Sequence, residues 1–291
     1  MSATAATARA YIISMRFPAW LAALIGLGGV CAAQENPREI VRQSVAMMDR
    51  NLAATRNYTF LERAETRELD GDGHVKSRKI VQYDVTMQEG SPYRRLVGRD
   101  DHALTPEEQR AEQKKLEESI VQRQKESPAQ RARRIADWEK KRKREREPIA
   151  EVPDAFNFRM AGEGKVDGRD AWIIEAEPRP GYRPRTSVAK LFPKFRGKLW
   201  IDKEDHQWVR TQAEVTDSIS WGLFIARLAK GSRLDVQMVR VNGEVWLPKR
   251  VEAKATARVA LVKMYRLETE TTYSNYRKFQ VESNFKPAEP R

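Results

Sequence analysis

The sequence is poor in the groups that most often carry chemistry. Among 291 residues there is one cysteine, Cys31, and there are three histidines, His74, His102 and His206. No two of the histidines share metal-ligand spacing, and one cysteine cannot close a disulfide within the chain. Gly-x-Ser-x-Gly, His-Glu-x-x-His and a phosphate-cradling glycine loop are all missing. Ser, His and Asp are present, but no pattern assembles them. The Arg99-Asp100-Asp101-His102 cluster sets two carboxylates beside an imidazole and reads as a solvated loop. Nothing in the residues calls for a catalytic group, a metal or a cofactor. Long apolar runs are also scarce. The longest, Pro18 to Val30, falls short of the roughly 20 residues a spanning helix needs.

That run has a second meaning. Arg9 and Arg16 precede it without an acidic residue, and Cys31-Ala32-Ala33 ends it before Gln34. A charged start, a short apolar stretch and small residues make a secretory signal peptide over 1–33. The mature chain then begins at or near Gln34, on the far side of a membrane, without any cysteine. An uncleaved N-terminal anchor and a lipid-modified Cys31 stand as alternatives, although Val30 is larger than a lipidation site prefers. Met15 is a second candidate start. Removing 1–33 takes away two of the positive charges behind the net +13. The mature protein is still basic, which suits anionic partners such as lipid headgroups.

Pro37 to Asn51 has helical apolar spacing, with Asn36 and Pro37 as a start signal. From Tyr58 the period becomes two. Val81, Tyr83, Val85 and Met87 share one face of a long hairpin, and Gln82, Asp84, Thr86 and Gln88 share the other. A third strand holds Tyr93 to Val97. Residues 103–150 break this pattern as a charged insert of two predicted helices, starting at Thr105-Pro106 and Ser127-Pro128. Their apolar stripe is thin. The insert reads as a solvated helical hairpin without direct chemistry, against a docking arm centred on Lys140 to Arg144. Export argues against nucleic acid as its partner.

Strands resume at Phe156, with hairpin turns at Asp167-Gly168 and Asn242-Gly243. An irregular proline-rich stretch runs from Pro178 to Phe195. Ile219 to Leu228 is the most apolar segment of the mature chain and lacks alternation. It reads as a loop or short helix over a cavity. A last strand pair is expected through Leu261 to Phe279, and 286–291 as a disordered tail. One N-terminal helix and some ten antiparallel strands make a mainly β, α+β chain. Its long curved sheet should curl to protect its edges.

The Trp172 to Pro178 strand, the Leu199-Trp200-Ile201-Asp202 strand with its turn, Trp246-Leu247-Pro248 and the closing Tyr273-Ser274-Asn275-Tyr276-Arg277-Lys278-Phe279 bear a further likeness. With the signal peptide, helix and long hairpin ahead of them, they resemble the outer-membrane lipoprotein-carrier superfamily, the LolA/LolB-like fold and its lipoprotein-sorting relatives. The resemblance covers 34–285 apart from 103–150. It implies a half-open barrel with helices over its mouth, an apolar cavity for acyl chains, and no catalysis. The expected function is periplasmic binding of lipid or acylated lipoprotein, as in lipoprotein sorting and transport, with or without association with the outer membrane or a membrane surface. The charged insert departs from the carriers. The alternative is a periplasmic sensor or envelope-assembly protein using the half-barrel as a filled scaffold. An enzyme is the third reading. Candidate ligand contacts are Trp221, Leu223, Phe224, Trp200 and Trp172. Candidate headgroup contacts are Arg183, Arg185, Lys194 and Arg196. The sequence does not fix an oligomeric state.

Overall fold

The computed structural model describes residues 35–55, 57–221, 226–259 and 263–278; the side chains of Leu52, Ala53, Trp221, Ala226, Val259 and Lys263 are excluded. Among the described residues, no helix is long and apolar enough to cross a membrane.

Thirteen strands form one antiparallel sheet. They are β1 (Tyr58–Leu69), β2 (Val75–Gln88), β3 (Ser91–Arg99), β4 (His102–Ala103), β5 (Phe156–Val166), β6 (Arg169–Pro178), β7 (Phe195–Asp202), β8 (Trp208–Val215), β9 (Ile219–Trp221), β10 (Ala226–Leu228), β11 (Arg233–Val241), β12 (Val245–Val259) and β13 (Lys263–Lys278). The order β4-β3-β2-β1-β13-β12-β11-β8-β7-β6-β5 leaves β4 and β5 unjoined. The result is a half-open barrel. The chain order alone would make a meander, but β13 returns to pair with β1 and brings the first and last described strands together.

Helix α1 (Pro37–Thr55) starts where Asn36 accepts a hydrogen bond from the Arg38 amide at 3.0 Å. It lies on one face of the sheet. Ile40 and Val41 pack on Trp172, Ile174, Leu199 and Ile201 of β6 and β7. Trp172 pairs with Ile201 and Ile174 with Leu199, so register sets all four on one face. Asn51 holds the other end of the helix to β12. Its side chain donates to the Trp246 carbonyl at 2.7 Å and accepts from the Trp246 amide at 2.8 Å. Between them, the Trp208 indole N–H donates to Ser44, which is fully buried.

The opposite face is charged. Glu65 accepts from Arg78 and Arg63, Arg250 pairs with Glu270, and Arg210 and Gln212 share Asp235. Hydrogen bonds from Arg78 and Arg63 outweigh desolvation and lower the Glu65 pKa to about 2. The hairpin with one dry and one wet face is therefore observed, and the wet face is cross-linked by ion pairs.

The insert forms α2 (Pro106–Gln124) and α3 (Pro128–Arg146), each opened by the expected residue in a capping box, Thr105 and Ser127. Neither helix has a buried residue. Both dock on the β2–β3 turn, where Glu89 and Gly90 have positive φ. Arg123 donates to the carbonyls of Gln88 and Ser91 at 2.8 and 3.1 Å, and Arg134 to that of Glu89 at 3.1 Å. A Cβ on Gly90 would stand 2.7 Å from Ile135 Cδ1, so α3 seats against bare backbone. A 3-10 turn (Glu147–Glu151) and α4 (Val152–Ala155) then lead back into the sheet.

Two expectations are corrected. The Ile219 to Leu228 segment is not a loop or helix where it is described. Its ends are strands β9 and β10, paired with each other, and β10 pairs with β12 from Ala257 to Val259. β12 runs to Val259 and offers an edge there that β10 takes up. The final strand pair is a single strand of 16 residues, β13, which bridges β12 and β1. Between Lys263 and Lys278 there is neither glycine nor proline to turn the chain. Leu261 and Phe279 lie outside the described residues.

Candidate binding cavity

Beneath α1 and α3, the inner face of the sheet encloses a cavity of about 900 Å³. Strands β1 and β2 present Tyr58, Phe60, Val85 and Met87 to it. Strands β8, β11 and β12 bring Trp208, Val236, Met238 and Leu247, and β13 brings Tyr276. The roof is Val45 and Met48 of α1, Trp138 of α3 and Ile149 beyond it. Alternation along the strands produces this surface, because facing partners such as Phe60 and Val85 point the same way.

Aromatic contacts stiffen the wall. Phe60 meets Tyr273 edge-on and Tyr276 at a tilt, with centroids 5.6 Å apart in both cases. The Tyr276 hydroxyl donates to the Pro248 carbonyl, and burial pushes its pKa up. Tyr58 donates to Glu244 and accepts from Asn242 at 3.0 Å; burial, followed by the Glu244 carboxylate, raises its pKa. Polar groups in the lining are mostly engaged. Arg94 pairs with Glu62 and lies 4.3 Å over the Tyr83 ring. Arg142 stacks 4.8 Å over Trp138 and donates to Thr55 at 3.0 Å, tying α3 to the end of α1.

One end of the barrel is pinned by charge. Arg169 donates to both oxygens of buried Asp202 at 2.6 and 2.8 Å. Burial alone would raise the Asp202 pKa, and Arg169 with the turn amides of Glu204 and Asp205 brings it down. Trp246 donates to Asp205 at 2.8 Å, which joins this turn to β12.

The candidate contact residues are dispersed. Trp172 belongs to the packed core under α1, beside His206 at 5.2 Å between rings. Trp200 sits on the opposite face of β7 from Leu199 and Ile201, with Arg210 5.0 Å over its ring. Neither lines the cavity. Leu223, Phe224 and the Trp221 side chain lie outside the described residues. The described backbone after them, β10, joins β12 at Ala257 to Val259 and the backbone before them, β9, joins β10, while β12 walls the cavity at Trp246 to Pro248. At about 3.3 Å per residue those two regions of the strand are some 30 Å apart.

Of the candidate headgroup residues, Arg185 is 3.5 Å from Asp154, Lys194 is 3.1 Å from Asp217 and Arg196 is 3.1 Å from Glu214. Arg183 is exposed. The loop of Arg183 and Arg185 is held by Glu151, a buried carboxylate accepting from the Tyr182 hydroxyl and from the amides of Arg185 and Thr186 at 2.8 and 2.9 Å. Burial works against its charge, but these donors prevail and lower its pKa to about 2.

Sequence reasoning passed over the insert as a cavity wall. Trp138 was the available signal: the one aromatic residue in a highly charged 19-residue helix. For metals, Asp70, Asp72 and His74 bring ligand atoms within 4.8 Å of one another. Asp70 already accepts from the amides of Asp72 and His74, both at 2.9 Å, so turn geometry accounts for the grouping.

No family model and no curated protein matches the sequence. Solved structures do. One is a domain assigned to outer-membrane lipoprotein sorting from Vibrio parahaemolyticus, 10% identical, covering 85% of this chain and 95% of its own, with a TM-score of 0.33. A DUF1329 family protein from Desulfovibrio piger is 11% identical over 86% of this chain and 95% of its own, with a TM-score of 0.31. A LolA superfamily protein from Nitrosomonas europaea is 10% identical over 84% and 94%, also with a TM-score of 0.31.

Proposed function

We propose that this protein is a non-enzymatic binder of an acyl chain, carried by a lipid or an acylated lipoprotein, and that it works in the periplasm. One observation supports the reading above the rest: a cavity of about 900 Å³ with a largely apolar wall. That volume lies near the top of the range for small-molecule sites, roughly 300–1,000 Å³. Each methylene moved from water into such a wall contributes about 0.8 kcal/mol, so an acyl chain needs no covalent chemistry to be held. The basic signal-peptide-like start of the sequence supports export, and carriage between membranes is the transport role that fits. Arg183, Arg185 and Arg196 are the candidate headgroup contacts exposed to solvent.

Titration with a fluorescent fatty acid, alongside native mass spectrometry of the purified protein, tests this. Saturable binding with co-purifying lipid is expected. Met48→Trp and Met238→Trp together should narrow the cavity and weaken binding while leaving a cooperative melt. No saturable binding in the unsubstituted protein would reject the acyl-chain reading in favour of a scaffold that engages a protein partner.

A further inference from the structure

We infer that the distal half of α3, together with the 179–190 loop, is a docking surface for an anionic phospholipid bilayer. Between Lys140 and Arg146 the chain has six basic residues and one acidic residue. Lys140, Lys141, Lys143 and Arg144 are exposed, and among the described residues none of these four forms an ion pair. Many other cations of the molecule are matched. Arg78 is taken up by Glu65, Arg210 by Asp235, Arg250 by Glu270 and Lys254 by Glu268. Basic residues in the last helical turn favour the helix dipole. That accounts for Lys143 and Arg144 but not for Lys140 and Lys141, which lie a turn earlier.

The loop adds to the same region. Glu151 ends the 3-10 turn that follows α3, and it holds the loop through Tyr182, Arg185 and Thr186. Arg183 and Lys190 are exposed there, and Val188 stands between them with 52% of its surface in water. An apolar side chain flanked by cations suits the boundary between headgroups and acyl chains. Trp138 lies on the cavity side of the same helix. A bilayer matches this combination better than nucleic acid or an acidic protein. It offers anionic headgroups to α3, acyl chains to Val188, and an apolar phase beside an apolar cavity. The inference depends on charge and placement, and it holds whether or not the cavity carries a ligand.

Co-sedimentation of the full chain with vesicles is the test. The chain should pellet with phosphatidylcholine vesicles containing about one-third phosphatidylglycerol at low salt, and not with phosphatidylcholine alone. Binding should fall steeply towards 1 M salt, where the Debye length is about 3 Å. Each basic residue near an anionic surface is worth about fivefold in affinity, so K140Q/K141Q/K143Q/R144Q together should remove detectable pelleting. The control K79Q/K125Q/K230Q/R258Q loses the same formal charge from exposed positions outside this surface and should retain most of it. Both variants should keep the wild-type melt, and the first should keep fatty-acid binding. The Met48→Trp/Met238→Trp protein should bind the fatty acid more weakly and still pellet as the wild type does, which separates this inference from the proposed function. No pelleting of the wild type, equal pelleting with neutral vesicles, or equal damage in both quadruple variants would overturn it. Binding to polyglutamate without binding to vesicles would overturn it in favour of an acidic protein partner.

Discussion

The two halves of the inner sheet face follow the same alternation and end differently. Over β6 and β7, α1 lays Ile40 and Val41 onto Trp172, Ile174, Leu199 and Ile201, and Ile174 and Ile201 have no exposed surface. Over β1, β2 and β11 to β13, α1 offers Val45 and Met48 across a gap, and α3 roofs the remainder. The difference is one of length. A 19-residue helix is about 28 Å long. Eleven strands in series at about 4.8 Å spacing span roughly 48 Å before curvature. One helix can fill one end of such a trough, and the other end is left to be roofed.

Truncation should expose that contrast most strongly. Ile201→Ala in the filled half should cost about 3–4 kcal/mol in a chemical melt, because the helix above cannot collapse into the hole. Met238→Ala in the open half should cost about 1 kcal/mol or less and should change fatty-acid affinity more than stability. Equal losses at the two positions would mean that the halves are packed alike.

Glu151 links the filled half to the loop. Glu151→Gln removes a buried charge that three donors satisfy, and should cost about 2–3 kcal/mol. The pH dependence follows from the lowered pKa. Because the folded value lies below the ordinary 4.5, the contribution is complete above about pH 4.5 and is lost as pH falls to about 2. Protection of the Arg185 and Thr186 amides from hydrogen exchange, relative to their intrinsic rates, should fall across that window. Protection that stays flat with pH would show that Glu151 does not anchor the loop.

The roof can be loosened more gently. Gly90→Ala strains a positive-φ position and pushes a methyl at Ile135, for an expected cost of about 1–2 kcal/mol. It should lift α3 and weaken fatty-acid binding. The smallest stability effect is expected from replacing 106–146 with a short Gly/Ser linker. Neither α2 nor α3 buries a residue, and long surface loops close at little entropic cost. A cooperative melt should survive while ligand affinity drops. Loss of the cooperative melt would make the insert part of the core.

These effects bear on how much could be read from the chain. Strand alternation, the capped helix starts at Asn36, Thr105 and Ser127, and the Asp167-Gly168 and Asn242-Gly243 turns are local signals, and each stands in the structure at the expected place. Ile219 to Leu228 misled because its apolar character says that it is covered but not by what. Of its described ends, β10 is covered by pairing along β12 and β9 by pairing with β10. Trp172 packs in the core under α1 and Trp200 lies on the other face of β7, so neither lines the cavity, although both are aromatic residues in apolar strands.

By itself, the sequence determined the local geometry: which segments are strand or helix, where they turn, which strand face is apolar, and that positive charge exceeds negative. Those depend on neighbours within a few residues, through side-chain period, capping and turn chemistry. Tertiary structure decided which apolar face would be filled and which left hollow. It brought β13 back to β1, turned α3 into a wall, and matched cations with carboxylates over one face while leaving Lys140, Lys141, Lys143 and Arg144 without an ion pair among the described residues. Such outcomes depend on how far a helix reaches across a sheet and on which charges meet across strands, and distances between residues far apart in sequence are set only when the chain folds.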